Sequence, residues 1–455
     1  MTDAQPSTDL AADSPTKLTA DDGVNSNYLD HMVATARQHE VVVSEDILTK
    51  NGVKLLGKGA RIGDAVRDRL LQHKLLKPLE DCTEVLNGVT AAQFEAVGHA
   101  LFDQHPLMRA LCSIAGSREA PSSLAALTLS APVKSLLTVY SQCRPRRLEH
   151  AVGVAMLSLS LARRLMPGAI DRHRTLALAG LLHDIGELYI DPVPMSGQAR
   201  LDASQWRHVA IHPLLGHRVL NRMAGAGKAV AEAVLLHHER LDGFGYPHGV
   251  SGDAFSDEGE IIAAAEWLMG LLESGAAPLV HARMASQLVP GELRPALVKL
   301  LATMTPDAPD LKLVHGVAPP LEEVLPRILR VARRLDNFVR ESDWMNQRIA
   351  AASPALRAVL EAGRQRLQRI QVSFASTGLA VENAATVLDE LAAQRDPGVY
   401  VEITALVTEL EWRMREIERR QRLRGSLLPA ADGAVVEESI TRVRGTSAAV
   451  AEAAA

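Results

Sequence analysis

Two adjacent histidines, His237 and His238, open an eleven-residue run with the sequence HHERLDGFGYP. Buried histidines need partners, so a pair of them without a chemical role is costly to fold around. A second pair, His183 and Asp184, lies upstream in an apolar segment. A charged aspartate there is difficult to explain by packing alone, whereas a divalent metal ion would neutralise it and bind the imidazole nitrogens. These residues therefore predict a metal centre.

The candidate metal ligands are five imidazoles and two carboxylates: His150, His183, Asp184, His212, His237, His238 and Glu266. A lone histidine on an apolar helix is usually a core residue, but this set exceeds what one tetrahedral zinc ion needs. It suits two six-coordinate metals that share a carboxylate, and the mixed nitrogen and oxygen donors favour iron or manganese over zinc. Two metals roughly 3.5–4 Å apart can activate a hydroxide for in-line attack on phosphorus. The set predicts phosphodiester hydrolysis, with His183 and Asp184 at its catalytic centre.

The glycine-broken part of the run is expected to shape the substrate side of this centre. Gly243 and Gly245 allow backbone conformations that are closed to other residues, and Pro247 stiffens the exit of the loop. Tyr246 could pack the loop or contact a ligand. Asp242 is expected to cap the turn rather than to bind metal.

The composition is that of a globular, helix-rich protein. Hydrophobic residues make up 47% of the chain and aromatic residues only 3%, which favours helices packed through aliphatic side chains. The net charge of −5 gives no reason to expect nucleic-acid binding. Three isolated cysteines are typical of a reducing compartment, no apolar run reaches the roughly 18 residues that span a bilayer, and the N-terminus does not resemble a signal peptide. We therefore expect a cytoplasmic protein without a membrane span.

Apolar periodicity predicts the helices that position the ligands. Valines and leucines recur at three- and four-residue steps over 148–165, which indicates an amphipathic helix. Residues 175–188 are apolar on all sides, as in a buried helix, and 261–272 form another helix. Further along, a heptad-like stripe consists of Ile403, Val407, Leu410, Met414 and Ile417. The stripe could pair with another chain, although packing within its own chain is favoured.

The mostly α chain is expected to divide into six segments. They are a disordered tail (1–27), a small α+β module (28–90), a connecting helix (91–118), a metal-dependent phosphohydrolase domain (119–318), a C-terminal helical region (319–425) and a flexible tail (426–455). In the module, Asn51-Gly52 between apolar runs predicts a β-hairpin, which a helix over about 62–73 follows. The module could be an inert cap or a regulatory, partner-docking element.

The chain resembles the HD-GYP family of bacterial signalling phosphodiesterases, which belongs to the HD superfamily. The motifs that carry the resemblance are His183-Asp184 within HDIG, the run at 237–247, His150 with Val154, and His212-Pro213 with Gly216 and Leu220. The resemblance covers about residues 120–315. It implies a helical domain that hydrolyses cyclic di-GMP through pGpG towards GMP in second-messenger signalling, with a metal-activated hydroxide as the nucleophile.

The resemblance also implies how the ligands are shared. One metal would be held by His150, His183, Asp184 and Glu266, and the other by Asp184 as the bridge with His212, His237 and His238. The family has aspartate where this chain has Glu266, which keeps the charge on a longer arm.

Two departures concern the substrate. The family usually has a lysine near the substrate phosphates directly after HDIG, and this chain has Glu187. An anion beside a phosphodiester should weaken binding, although Glu187 could instead face the metals as an additional ligand. The basic stretch that follows the last acidic ligand in the family is missing here. These departures leave open a catalytically weak signalling module that binds partners or self-associates through the C-terminal helices, and a phosphohydrolase of mononucleotides as a further alternative.

Overall fold

The computed structural model describes residues 23–192, 202–274, 278–304, 321–377 and 397–445. These residues belong to two compact units. The first unit contains the described residues up to 192 together with 207–273, and the second contains 202–206 and the described residues from 274 onward. Helices dominate both units, which confirms the predicted mostly α class.

The first unit begins with a small α+β module. Its elements are α1 (Ser26–Thr35), β1 (Val41–Val43), β2 (Ile47–Leu48), β3 (Lys54–Leu56), α2 (Asp64–Leu71) and β4 (Thr83–Val85). Strands β2 and β3 form an antiparallel hairpin around the Asn51-Gly52 turn, and β1 pairs antiparallel with β4. Residues 1–22 of the predicted disordered tail lie outside the described residues. The last residues of that predicted tail are ordered instead, because Asn25 caps α1 by accepting a hydrogen bond from the Tyr28 amide.

The segment 91–118, predicted as one connecting helix, contains two. Helix α3 (Ala91–Gln104) ends before His105, and α4 (Pro106–Cys112) starts directly after it. A residue that precedes proline is pushed out of the helical region, and His105 has φ of −118° and ψ of 115°. The proline at the first position of α4 therefore separates the helices.

The rest of the first unit is a helical core. Its helices are α5 (Ala120–Ala125), α6 (Ala131–Cys143), α7 (Arg147–Leu165), α8 (Ile170–Leu182), α9 (Ala203–Ala210, of which the residues up to Trp206 are grouped with the second unit), α10 (His212–Leu220), α11 (Lys228–Leu236) and α12 (Asp257–Ser274). A 3₁₀ turn, Ile185–Tyr189, links α8 to the segment that follows it.

Helix α7 is the central helix of this core. Every residue from His150 to Ala162 is buried, so the helix predicted as amphipathic over 148–165 is enclosed on all sides. The reason is that α3, α4, α5, α6 and α8 all pack against it. A small residue in α8, Gly180, lets the backbones of α7 and α8 approach closely, since a side chain there would overlap the backbone of Ala155.

The described residues of the second unit form helices joined by short turns. Its helices are α13 (Pro278–Leu288), α14 (Pro295–Met304), α15 (Leu321–Arg340), α16 (Ser342–Ala351), α17 (Pro354–Ala375), α18 (Pro397–Gly425) and α19 (Ala430–Arg444). The boundary between the units follows Glu273, so α13 and α14 lie in the second unit, and the phosphohydrolase domain over 119–318 stays a prediction.

The heptad-like stripe lies on α18. All five of its residues are buried within the second unit, so this stripe packs inside its own chain. Self-association through other faces of these helices stays a prediction. None of the helices in the described ranges is both long and apolar enough to cross a membrane.

The prediction of a flexible tail over 426–455 is wrong for residues 430–444. Helix α19 covers Ala430–Arg444, and its Val436 and Ile440 pack against Leu356, Val359 and Leu360 of α17. The apolar positions of α19 are few, which is why periodicity alone did not reveal the helix. Residues 446–455 lie outside the described residues.

Candidate metal centre

Six of the seven predicted ligands come from the ends or first turns of helices in the first unit, and the seventh, Glu266, comes from the middle of a helix. His150 lies in the first turn of α7, His183 caps the C-terminus of α8 with Asp184 next to it, His212 starts α10, His237 caps the C-terminus of α11 with His238 next to it, and Glu266 lies within α12. Two groups of them converge, one of His150, His183 and Asp184, the other of Asp184, His212, His237 and His238. Asp184 is common to both groups.

The carboxylate of Asp184 faces the two groups with different oxygens. Oδ1 lies 3.2 Å from Nε2 of His212 and 3.5 Å from Nε2 of His237. Oδ2 lies 3.4 Å from Nε2 of His183 and 3.8 Å from Nε2 of His150. A carboxylate in this position could bridge two cations.

The glycine of the HDIG motif makes this approach possible. A Cβ at Gly186 would overlap the carbonyl oxygen of His212, so only glycine lets the 3₁₀ turn lie against the start of α10. The same contact brings Asp184, two residues earlier, within reach of the His212 ring.

The histidine rings present paired lone pairs to one another. Nδ1 of His212 lies 2.8 Å from the carbonyl oxygen of Val209, and Nδ1 of His237 lies 2.6 Å from that of Val234. A carbonyl oxygen only accepts, so both Nδ1 atoms carry the proton and, in the neutral rings, both Nε2 atoms carry a lone pair. The two Nε2 atoms are 3.0 Å apart. A cation between them would remove the repulsion of the facing lone pairs, so the donor set fits a metal.

The His150 and His183 pair repeats this arrangement with their Nε2 atoms 3.1 Å apart. Nδ1 of His183 is held by the Gly180 carbonyl oxygen at 2.8 Å, and Nδ1 of His150 by the carboxylate of Glu273 at 3.0 Å. Oε2 of Glu266 lies 3.2 Å from both Nε2 atoms. Carboxylates and carbonyls that hold the outer nitrogen of a ligand histidine fix its tautomer and orientation.

The electrostatics of the centre differ between its two sides. Burial lowers the pKa of His237 to about 4, so this ring is neutral and able to bind a metal at neutral pH. At His183 burial also opposes the charged form, but the carboxylates of Asp184 and Glu266 outweigh it and raise the pKa to about 10. The side of the centre that contains both Asp184 and Glu266 therefore attracts positive charge, which a metal ion or a proton could supply.

His238 stands at the edge of the centre, where it meets the glycine-broken loop. Its ring stacks on Tyr246 with centroids 4.6 Å apart, and its centroid lies 4.1 Å from that of His237. Burial, followed by the neighbouring His237, lowers the pKa of His238 well below its ordinary value. Tyr246 thus both orients a predicted ligand and lines the cavity described below.

The other predicted loop residues shape the turn. Asp242 accepts a hydrogen bond from the Phe244 amide, Gly243 has φ of +74°, and a side chain at Gly245 would overlap the backbone of Glu239. The peptide bond that precedes Pro247 is cis.

Sequence reasoning missed the residue that holds this loop. Glu239 is fully buried, and its carboxylate accepts hydrogen bonds from the amides of His248, Gly249 and Val250 at 2.7, 3.0 and 3.1 Å. The available signal was its position in the HHE motif, because an acidic residue directly after two predicted ligands is a candidate for a structural or functional role. Glu273 was missed because 123 residues separate it from His150.

A cavity of about 510 Å³ opens over the centre, within the range of about 300–1,000 Å³ that is typical of small-ligand sites. His150, Asp184, His212, His238 and Glu266 all face it. Three arginines that the sequence analysis did not single out also line it: Arg144, Arg146 and Arg147.

Glu187 lines the same cavity and forms an ion pair with Arg147. Burial raises the pKa of Glu187 to about 7; the neighbouring Asp184 carboxylate adds to the rise and Arg147 opposes it. The alternative that Glu187 is a metal ligand gains no support, because neither converging ligand group in the described ranges contains it.

Comparisons with known proteins agree with this geometry. The family model of the HD domain matches residues 124–278. The chain is 36% identical over 122 residues to the 3′3′-cGAMP-specific phosphodiesterase 3 of Vibrio cholerae. The aligned residues make up 27% of this chain and 26% of that protein. The chain is also 36% identical over 108 residues to a cyclic di-GMP phosphodiesterase of Pseudomonas aeruginosa, and these residues make up 24% of this chain and 26% of that protein. A cyclic di-GMP phosphodiesterase response regulator of Xanthomonas campestris is 30% identical over 132 residues, which cover 28% and 32%.

Residues 124–278 thus match the family model of the HD domain, which is a helical metal-binding fold. The match, together with relatives named as cyclic-dinucleotide phosphodiesterases, confirms the resemblance to the HD-GYP family that the motifs indicated. The aligned region spans about a quarter to a third of the length of these curated relatives.

Proposed function

We propose that this protein is a metal-dependent phosphodiesterase that hydrolyses cyclic di-GMP, through pGpG towards GMP, in bacterial second-messenger signalling. The observation that carries the proposal is the position of Asp184, whose two oxygens face two separate pairs of imidazole nitrogens. Relatives named as cyclic di-GMP or 3′3′-cGAMP phosphodiesterases support the same reaction class.

The protein side chains divide the work. His150, His183, Glu266 and Asp184 would hold one divalent ion, and Asp184, His212, His237 and His238 the other. We expect iron or manganese, since the donors mix nitrogen with oxygen and include no thiolate. When bound, two such ions lower the pKa of water and stabilise the leaving oxygen. The protein itself orients the imidazoles through Gly180, Val209, Val234 and Glu273.

The cavity would hold the cyclic dinucleotide above the centre. Tyr246 offers an aromatic face next to His238, and the arginines of residues 144–147 give the wall an attraction for phosphate. The cytoplasmic location that the sequence predicts is part of this proposal.

The test begins with anaerobic purification and metal quantification. The protein is then incubated separately with cyclic di-GMP and 3′3′-cGAMP, and the products are separated by chromatography. We expect about two metals per chain and the appearance of pGpG or GMP. Asp184→Asn should abolish the reaction. His173→Gln is the matched control, because His173 is buried in the same unit but binds only the Met166 carbonyl in the described structure.

One observation favours a second candidate function, a signalling module that binds without turnover. Glu187 places an acid in the cavity wall where a phosphate would approach. Two bound metals with an intact cyclic dinucleotide would support this candidate and contradict the phosphodiesterase.

A further inference from the structure

We propose that Arg147, held in position by Glu187, is the phosphate-contacting cation of this site. The inference rests on the proposed function in one respect, since it takes the ligand to carry a phosphate. It assigns a specificity role to two residues that the metal chemistry does not use.

Arg147 is placed where a ligand phosphate would lie. It is the first residue of α7, one turn before His150, and its side chain is 17% exposed at the cavity wall. Its Nη1 lies 3.3 Å from Oδ2 of Asp184, the shared carboxylate. The guanidinium therefore borders the point at which both ligand groups meet.

Glu187 and Tyr140 fix the guanidinium from two directions. Nη2 of Arg147 pairs with Oε2 of Glu187, and the guanidinium carbon lies 5.6 Å from the centroid of the Tyr140 ring. A guanidinium has five N–H donors, and the two carboxylate contacts described here occupy one terminal nitrogen each. Its planar fork suits the oxygens of a phosphate better than a point charge does.

The backbone before Arg147 is unusual in a way that supports a functional role. Arg146, at the N-cap of α7, has φ of +64°, the only positive φ of a non-glycine residue in the described ranges. Such strain persists where the surroundings demand it, and it is concentrated at ligand sites. Here it starts α7 so that Arg147 enters the cavity.

This arrangement explains the acid at position 187. Alone, Glu187 would repel a phosphate. Paired with Arg147, it is neutralised, and it anchors a cation that reaches the cavity from α7 instead of from the turn after HDIG. Glu187→Lys is therefore expected to lower turnover. A lysine there would place two cations together and release Arg147 from its anchor.

The experiment is a double-mutant cycle on the metal-loaded protein, with Arg147→Ala, Glu187→Ala and the double variant. The probes are inorganic phosphate, measured by calorimetry, and cyclic di-GMP, measured by KM and kcat. Metal content and thermal midpoint are checked for each variant. Arg147→Ala should weaken phosphate binding and raise KM by about 10- to 100-fold, as expected for the loss of a charged hydrogen-bonding partner. Arg147→Lys should retain part of the affinity.

The effect of Glu187→Ala should change sign with the background. With Arg147 present it should weaken phosphate binding, because the cation loses its anchor. In the Arg147→Ala background it should strengthen binding, because a stranded anion is removed, but not to the wild-type level. Arg172→Ala, which breaks an ion pair with Glu258 outside the cavity lining, is the matched control and should leave binding unchanged.

If the double variant regains wild-type affinity, Arg147 only neutralises Glu187 and the inference is overturned. The same conclusion follows if the wild type does not bind phosphate, or if Arg147→Ala hydrolyses cyclic di-GMP with an unchanged KM, in which case the proposed function survives. Phosphate binding that depends on Arg147 in a protein that hydrolyses neither dinucleotide would sustain the inference and contradict the proposed function.

Discussion

Replacing Glu239 by glutamine should destabilise the loop that borders the metal centre. In the wild type, Oε1 accepts from two amides, of His248 and Gly249, and Oε2 accepts from a third, of Val250. Glutamine has only one acceptor atom, so its NH₂ group must face at least one amide donor. One charge-assisted hydrogen bond, worth about 1.5–3 kcal/mol, is lost, and a buried amide left without a partner costs about 1–3 kcal/mol. Together these two effects should lower the unfolding free energy of the first unit by about 2.5–6 kcal/mol.

Urea unfolding and limited chymotrypsin digestion test this loss, since the loop contains a cleavage site at the Phe244-Gly245 bond. Glu239→Gln should unfold at lower urea and be cut in the loop before it is cut elsewhere. The matched control is Glu258→Gln, whose carboxylate pairs with the half-exposed Arg172 and whose loss should cost about 1 kcal/mol or less. An unfolding free energy within 1 kcal/mol of the wild type, with a protected loop, would refute this role of Glu239.

Three further predictions concern charge. Asp184→Asn should lower metal content at both sites and lower the thermal midpoint, which metal analysis and calorimetry check; unchanged metal content would exclude the bridging role. Glu273→Gln should weaken metal binding by the ligand group that contains His150 about 10- to 100-fold and leave metal binding by the other group unchanged. Titration with a chelator should therefore remove one metal at a lower chelator concentration than the other. Burial raises the pKa of Glu80, so its contribution to stability is full at pH below about 4.5 and is lost as pH rises through the folded pKa. Glu80→Gln, which can still accept from the Tyr189 hydroxyl, should therefore gain stability relative to the wild type from pH 5 to 8; parallel unfolding profiles would contradict this.

The positions of the metal ligands could be predicted from the sequence because each belongs to a short motif with an unusual composition. His183-Asp184 stands out in an apolar helix, and the run at 237–247 combines imidazoles with glycines. The hairpin followed from Asn51-Gly52, whose turn conformation few other residues adopt. In each case the cause of the structure lies within a few residues of its effect.

The contacts that tune the site could not be predicted in this way. Glu273 meets His150 across 123 residues, and Arg147 meets Glu187 only because α7 packs beside the 3₁₀ turn. The motif order of the family predicts substrate-binding cations after Glu266. The arginines instead precede His150. The charge that lines a cavity depends on which chain segments meet there, and the order of motifs along the sequence does not show which segments these are.

The end of a helix supplies what a metal-binding histidine requires, which explains why these ligands lie where they do. The last carbonyl groups of a helix have no partner within the helix. His183 and His237 cap α8 and α11, and their Nδ1 atoms contact carbonyl oxygens three residues earlier, those of Gly180 and Val234. One hydrogen bond thus satisfies an orphan acceptor, fixes the tautomer and directs Nε2 towards the centre. The acceptor and the ligand are three residues apart in the chain, so the geometry of each ligand forms with its own helix. Tertiary packing then has to bring together helix ends that are already oriented, and Asp184, directly after one of them, reaches both pairs.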